Sequence, residues 1–94
     1  MTLSLLRRTA GPHGTAHHGD TTTLLEAWEL WEGDPDLPHE CQGWFRCTDE
    51  FFTARKGTEL NLRLQTPEND TRVLHVVIEK LNRAEQLWEF FGDR

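Results

Sequence analysis

From Thr9 to Phe45 the chain carries no lysine and no arginine, and over its full 94 residues the formal net charge is −6. A long basic-free run under net negative charge argues against sequence-independent binding to phosphate backbones or anionic membranes, both of which need clustered cations. Ser4 is the only serine, so no serine nucleophile sits in a strand–turn–helix elbow. A glycine-rich phosphate loop and a metalloprotease helix motif are missing too. The two cysteines, Cys41 and Cys47, do not make a disulfide framework. On one extended strand their Cα atoms would stand about 20 Å apart, against the roughly 4.4–6.8 Å that a disulfide allows. Reduced thiols and a cytoplasmic protein are the expectation. No apolar run approaches the length of a membrane-spanning helix, so no membrane partner is expected. At the start, Leu3, Leu5 and Leu6 precede Arg7 and Arg8, the reverse of signal-peptide order and too short a run. The acid-free, arginine-bearing start matches an organelle transit peptide in composition alone.

What is present is aromatic and acidic. A chain of 94 residues supports one core, burying roughly 60–65% of its unfolded surface. Four tryptophans and five phenylalanines, each able to bury about 150–250 Å², exceed what so small a core needs. Some of them should face a partner. Asp20, Glu26, Glu29, Glu32, Asp34, Asp36 and Glu40 make residues 20–40 strongly acidic. This is either a solvated face or a surface that attracts a basic partner.

Residues 10–20, with three glycines, a proline and three histidines, read as linker, so residues 1–20 are expected to form a mobile tail and residues 21–94 a single domain. The rival is an edge strand over Thr2 to Arg8, with Leu3 and Leu5 on one face. Thr23 to Gly33 has helix punctuation: a Thr23/Glu26 capping box, Gly33 past the end and Pro35 beyond it. Leu24, Ala27, Trp28, Leu30 and Trp31 share one helical arc, whereas strand alternation gives a mixed face. Gln42 to Cys47 is a short strand with Trp44 and Phe45 on opposite faces. Thr48 to Gly57 is expected as a short helix, against a hairpin turning at Lys56-Gly57. Leu60, Leu62 and Leu64 alternate in a half-buried strand over 59–65; TPEND turns, and Thr71 to Glu79 returns. Lys80 to Phe91 then takes helical period, with Leu81, Ala84, Leu87, Trp88 and Phe91 on one side.

The fold class expected is α+β: a three-stranded antiparallel sheet with two or three helices packed against it, behind the mobile tail. Its core would be Leu60, Leu62, Leu64, Val73, Val77, Leu81, Ala84, Trp88 and Phe91. Leu74, Val76 and Ile78 on the other face of strand 71–79 would need cover from the first helix or from a second copy of the chain.

His39, Cys41, Cys47 and His75 are zinc-ligand types, but the spacing lacks a paired C-x2-4-C knuckle. A buried thiol pair beside unrelated histidines explains it, and no metal or other cofactor is expected. A cysteine nucleophile would need a convergent histidine and an orienting third group; the sequence places none, so no catalytic residue is assigned. The reading is a small acidic non-enzymatic interaction protein: a regulator, adaptor or inhibitor docking a protein partner. Trp28 and Trp31 would be the anchors, ringed by Glu29, Glu32, Asp34 and Asp36. Apolar surplus predicts a homodimer whose interface includes Phe90, Trp28 and Trp31. In a narrower version the acids imitate nucleic acid. The alternatives are a metal- or thiol-bearing domain, and an RNA- or DNA-binding module using Trp44, Phe45, Arg46, Arg55, Lys56 and Arg63; the net charge makes nucleic acid the weaker partner.

Overall fold

The computed structural model describes residues 7–33, 41–49, 52 and 54–93, and among them there is no helix. Seven strands run in chain order: β1 (Arg7–Gly11), β2 (His13–His18), β3 (Thr21–Glu32), β4 (Cys41–Cys47), β5 (Glu59–Gln65), β6 (Thr71–Asn82) and β7 (Leu87–Asp93). β1 and β2 lie end to end along one edge of β3 in a single register, from Arg7 opposite Glu32 to His18 opposite Thr21. Pro12, which has no amide hydrogen to donate, separates them. β2, β3, β4, β7, β6 and β5 then close on one another, every pair antiparallel, as a six-stranded barrel. The α+β expectation is therefore corrected to all-β. The expected tail is corrected with it, since residues 7–11 pair with β3 and residues 13–18 supply a stave of the barrel.

Three hairpin links are tight. Gly19 takes φ 61° between β2 and β3, Asn69 φ 67° between β5 and β6, and Gln86 φ 55° between β6 and β7. The TPEND turn closes with the Thr66 hydroxyl accepting from the Asp70 amide. The link from β4 to β5 is longer, and residues 52 and 54 of it are buried. Neither the expected helix nor a strand forms over its described part, although Lys56 and Gly57 do make a turn. Gly57 and Thr58 then bond to Ile78 on β6 and lead into β5.

A barrel of six strands has a bore only wide enough for side chains. One cross-strand row inside it holds Trp28, Phe45, Trp88 and Leu81. Phe45 stacks on Trp88 at 5.8 Å with the ring planes 10° apart, and Phe52 packs T-shaped against Trp88 with ring centroids 4.8 Å apart. Both indoles satisfy their N–H inside: Trp28 donates to the His13 carbonyl at 2.7 Å and Trp88 to the Ala54 carbonyl at 3.0 Å. The neighbouring row, Leu30–Gly43–Phe90–Ile78, fits because its second member has no side chain. A Cβ on Gly43 would collide with the Glu29 carbonyl oxygen and approach the Phe90 ring to 3.0 Å. Alternating large and small residues across the bore is how such barrels fill their interior.

The expected core needs repair. Leu60, Leu62, Leu64 and Trp88 are inside, and Leu81 packs against them. On β6, however, Leu74, Val76 and Ile78 point inward, whereas Val73 is 63% exposed and Ala84 lies exposed in a turn. Phe91 and Val77 are half-buried on the outside. No second copy of the chain is needed to cover Leu74, Val76 and Ile78. Gly43→Ala should lower stability by about 1–3 kcal/mol, the usual range for overpacking. The outward Leu24→Ala should change it by less than about 0.5 kcal/mol. Urea unfolding of both variants checks the pair.

Candidate functional site

Alternation decides which side chains leave the barrel. Trp31 follows inward Leu30, and Trp44 lies between inward Gly43 and Phe45, so both tryptophans emerge on the outer surface, half-buried. Trp31 stands opposite Arg8 on one side and Gln42 on the other. Trp44 stands between Glu29 on β3 and Glu89 on β7. Two residues along adjacent strands, the tryptophans are diagonal neighbours, within reach of the same ligand group. Between them opens a cleft of about 150 Å³ lined by Trp31, Gln42, Gly43, Trp44, Glu79, Glu89 and Phe90. Gly43 and Phe90 border the cleft from β4 and β7, although the Phe90 side chain belongs to the core. Glu79 is the extra residue where the β6–β7 register shifts between Ile78 and Lys80.

Next to the cleft the chain holds one of its own cations. Arg8 bonds Glu29 at 2.9 Å and sets its guanidinium 5.8 Å from the Trp31 ring centroid. That hydrogen bond and charge hold the Glu29 carboxyl below the usual carboxylate range, against a smaller opposing effect of burial. The same contact raises the Arg8 guanidinium further above its already high value. Since Glu29 is depressed in the folded state, its contribution to stability is present above the ordinary carboxylate range and is lost as pH falls through the folded pKa.

A second ionic feature closes one end of the barrel. Arg72 grips buried Glu32 through two bonds of 2.6 and 2.7 Å. A planar guanidinium meeting a carboxylate edge to edge is the strong form of this contact. The pair seals the end beyond Leu64 and Leu74, and it satisfies a charge that the interior could not otherwise tolerate.

The residues expected to dock a partner are divided by this architecture. Trp31 and Glu29 are on the outer face. Trp28 and Phe90 are each 1% exposed and belong to the core. Glu32 is committed to Arg72. Asp34 and Asp36 lie outside the described residues. The homodimer interface expected from Trp28, Trp31 and Phe90 thus loses two of its three side chains to the interior. For nucleic acid, Phe45 is buried, Trp44 has carboxylates on both neighbouring strands, and Arg63 is on β5, which pairs with β2 and β6 rather than with β4. Arg55 and Lys56 sit on the β4–β5 link, so the set does not form one face.

Cys41 and Cys47 are both buried and occupy opposite ends of β4. His75 is outside, 3.3 Å from Glu59, and His39 lies outside the described residues. Among the described residues no three metal-ligand side chains gather. Reasoning from sequence missed Arg8, Gln42, Trp44, Glu79 and Glu89 as companions of Trp31. That Trp44 and Phe45 lie on opposite faces was visible in QGWFRC; which of them faces outward, and the partner strand, were not.

Burial pushes the Cys47 thiol up to about 11, and the nearby charges of Asp49 and Glu26 add to the rise. The folded pKa exceeds the ordinary value of 9.0, so this contribution to stability is full below that value and fades as pH climbs toward the folded pKa. Stability of the wild type should therefore fall more steeply than that of Cys47→Ala over this window. In native protein at pH 8 neither thiol should react with iodoacetamide, and both should in denaturant. Glu32→Ala should lower stability by about 1–3 kcal/mol, the range for hydrogen bonds to charged groups. Glu32→Gln, which keeps part of the contact, should lower it less; chemical denaturation reads both. No protein-family model matches this chain, and no match emerges among curated proteins or solved structures.

Proposed function

We propose that this barrel is a non-enzymatic interaction protein that docks a basic partner protein on the outer face of β3, β4 and β7. The observation carrying the proposal is the cleft between Trp31 and Trp44, whose charged lining residues are the carboxylates Glu79 and Glu89. Half-buried tryptophans at the centre of a surface patch have the character of binding hot spots: large apolar area, few rotatable bonds and a polar edge. Acidic side chains around them steer cations inward and repel anions. Neither Glu79 nor Glu89 forms an ion pair among the described residues, so both charges remain for a partner.

The same charges oppose self-pairing of this face, because a two-fold axis through it would bring like carboxylates together. A second copy of the chain fits better on the far side of the barrel. There one outer row holds Leu24, 75% exposed, with Thr15, Arg63 and Val73.

An NMR titration of the full chain with a mixed lysine–arginine peptide at low ionic strength tests the proposal. Saturable shifts should centre on the Trp31 and Trp44 indoles and on residues 42–44, 79 and 89. Trp44→Ser should abolish them while leaving the spectrum of the barrel intact. Absence of saturable binding, or shifts scattered over the whole surface, would overturn the proposal.

A further inference from the structure

We infer that the cleft between Trp31 and Trp44 is a subsite for one arginine side chain, bound by stacking its guanidinium on indole while Glu79 and Glu89 accept its hydrogen bonds. The inference rests on the docking proposal and deepens it by naming the side chain recognised.

Three observations favour arginine. The cleft, about 150 Å³, admits the head of one long side chain rather than a folded element. Its lining combines two outward tryptophans with two carboxylates. An indole face attracts a cation, and of the two common cations the guanidinium is planar, weakly hydrated and able to stack while its N–H groups bond in plane. Lysine offers a compact, strongly hydrated ammonium that gains less from such walls.

The third observation comes from the chain itself. At the neighbouring corner Arg8 already makes this contact, with its guanidinium over Trp31 and bonded to Glu29. Tryptophan beside an outward glutamate therefore holds a guanidinium on this very face. The cleft repeats the combination with Trp44, Glu79 and Glu89, and among the described residues no cation lines it. Lys80 is opposite Glu89 across β6 and β7, but it is exposed and makes no ion pair among the described residues. Arg46, the other cation on this side of β4, sits opposite Ala27 and Leu87 instead.

Isothermal titration of the full chain with hexa-arginine and hexa-lysine tests the inference, since the two probes carry equal charge. Hexa-arginine should bind about tenfold more tightly, the ratio given by a cation–π advantage of ordinary size. The preference should vanish in Trp44→Ser and in Glu79→Gln/Glu89→Gln, and survive in Glu85→Gln, whose carboxylate lies in the β6–β7 turn. Equal affinity for both peptides, lost in Trp44→Ser, would overturn the arginine subsite and leave the docking proposal standing. Binding of neither peptide would overturn both. An arginine preference that persists in Trp44→Ser and in the double glutamine variant would also overturn the subsite.

Discussion

Six strands can close only around a narrow bore, and in this chain two indoles and the Phe45 ring form one layer across it. Everything nearby is adjusted to that layer. Gly43 must lack a side chain so that β3 and β4 can approach, and Gly92 must lack one beside Cys41 and Val76, where a Cβ would come within 2.9 Å of both side chains. Ala16 is small on β2, opposite Leu62. With the inward set committed, the outward set follows from the two-residue period of a strand. Trp31 and Trp44 lie outside because Leu30, Gly43 and Phe45 lie inside. The proposed docking face is thus a consequence of closure as well as of surface chemistry.

The two ends of the bore are finished differently. At one end the β4–β5 link lays Phe52 and Ala54 over Phe45 and Trp88, and the Ala54 carbonyl accepts the indole N–H. At the other, Glu32 and Arg72 meet in a two-bonded ion pair. The first end gains from burying apolar area. The second spends attraction mainly on offsetting desolvation, so its value lies in holding β3 and β6 in one arrangement across the opening.

Legibility of the sequence followed the regularity of its strands. The 59–65 and 71–79 hairpin was plain because Leu60, Leu62 and Leu64 alternate without interruption and TPEND has recognisable turn chemistry. β3 was not, because its register shifts between Leu25 and Ala27. That bulge moves the inward set from Thr23 and Leu25 to Trp28, Leu30 and Glu32. A period-2 pattern with one slipped phase places apolar residues three and four apart, which is the signature of a helix. The same device misled the end of the chain, where the β6 bulge and a turn through Arg83, Ala84, Glu85 and Gln86 imitate helical spacing. Those four residues carry no glycine or proline to announce a turn; Asn82 just before them accepts from the Glu85 amide, and Gln86 takes the left-handed conformation. The tail was misjudged on composition, since Gly14 and Ala16 are small to fit the bore and not to confer flexibility. Of the candidate site, Trp31 and Glu29 were legible. Trp44, Glu79 and Glu89 needed the pairing of β4 with β7.

The pairing of β2 with β5, and of β4 with both β3 and β7, also governs the order in which the molecule can be made. During synthesis the hairpin of residues 7–32 leaves the ribosome ahead of the other strands, with Leu25, Trp28 and Leu30 already patterned for an interior whose other walls do not yet exist. β5 follows more than a score of residues later, and β7, which completes the ring, is translated after the other six strands. Pairings so distant in sequence form slowly, because the intervening chain must be ordered before they give any return. The nascent chain therefore passes through a stage with an open edge and exposed tryptophan, the state in which small β proteins are most exposed to capture by a chaperone or by one another.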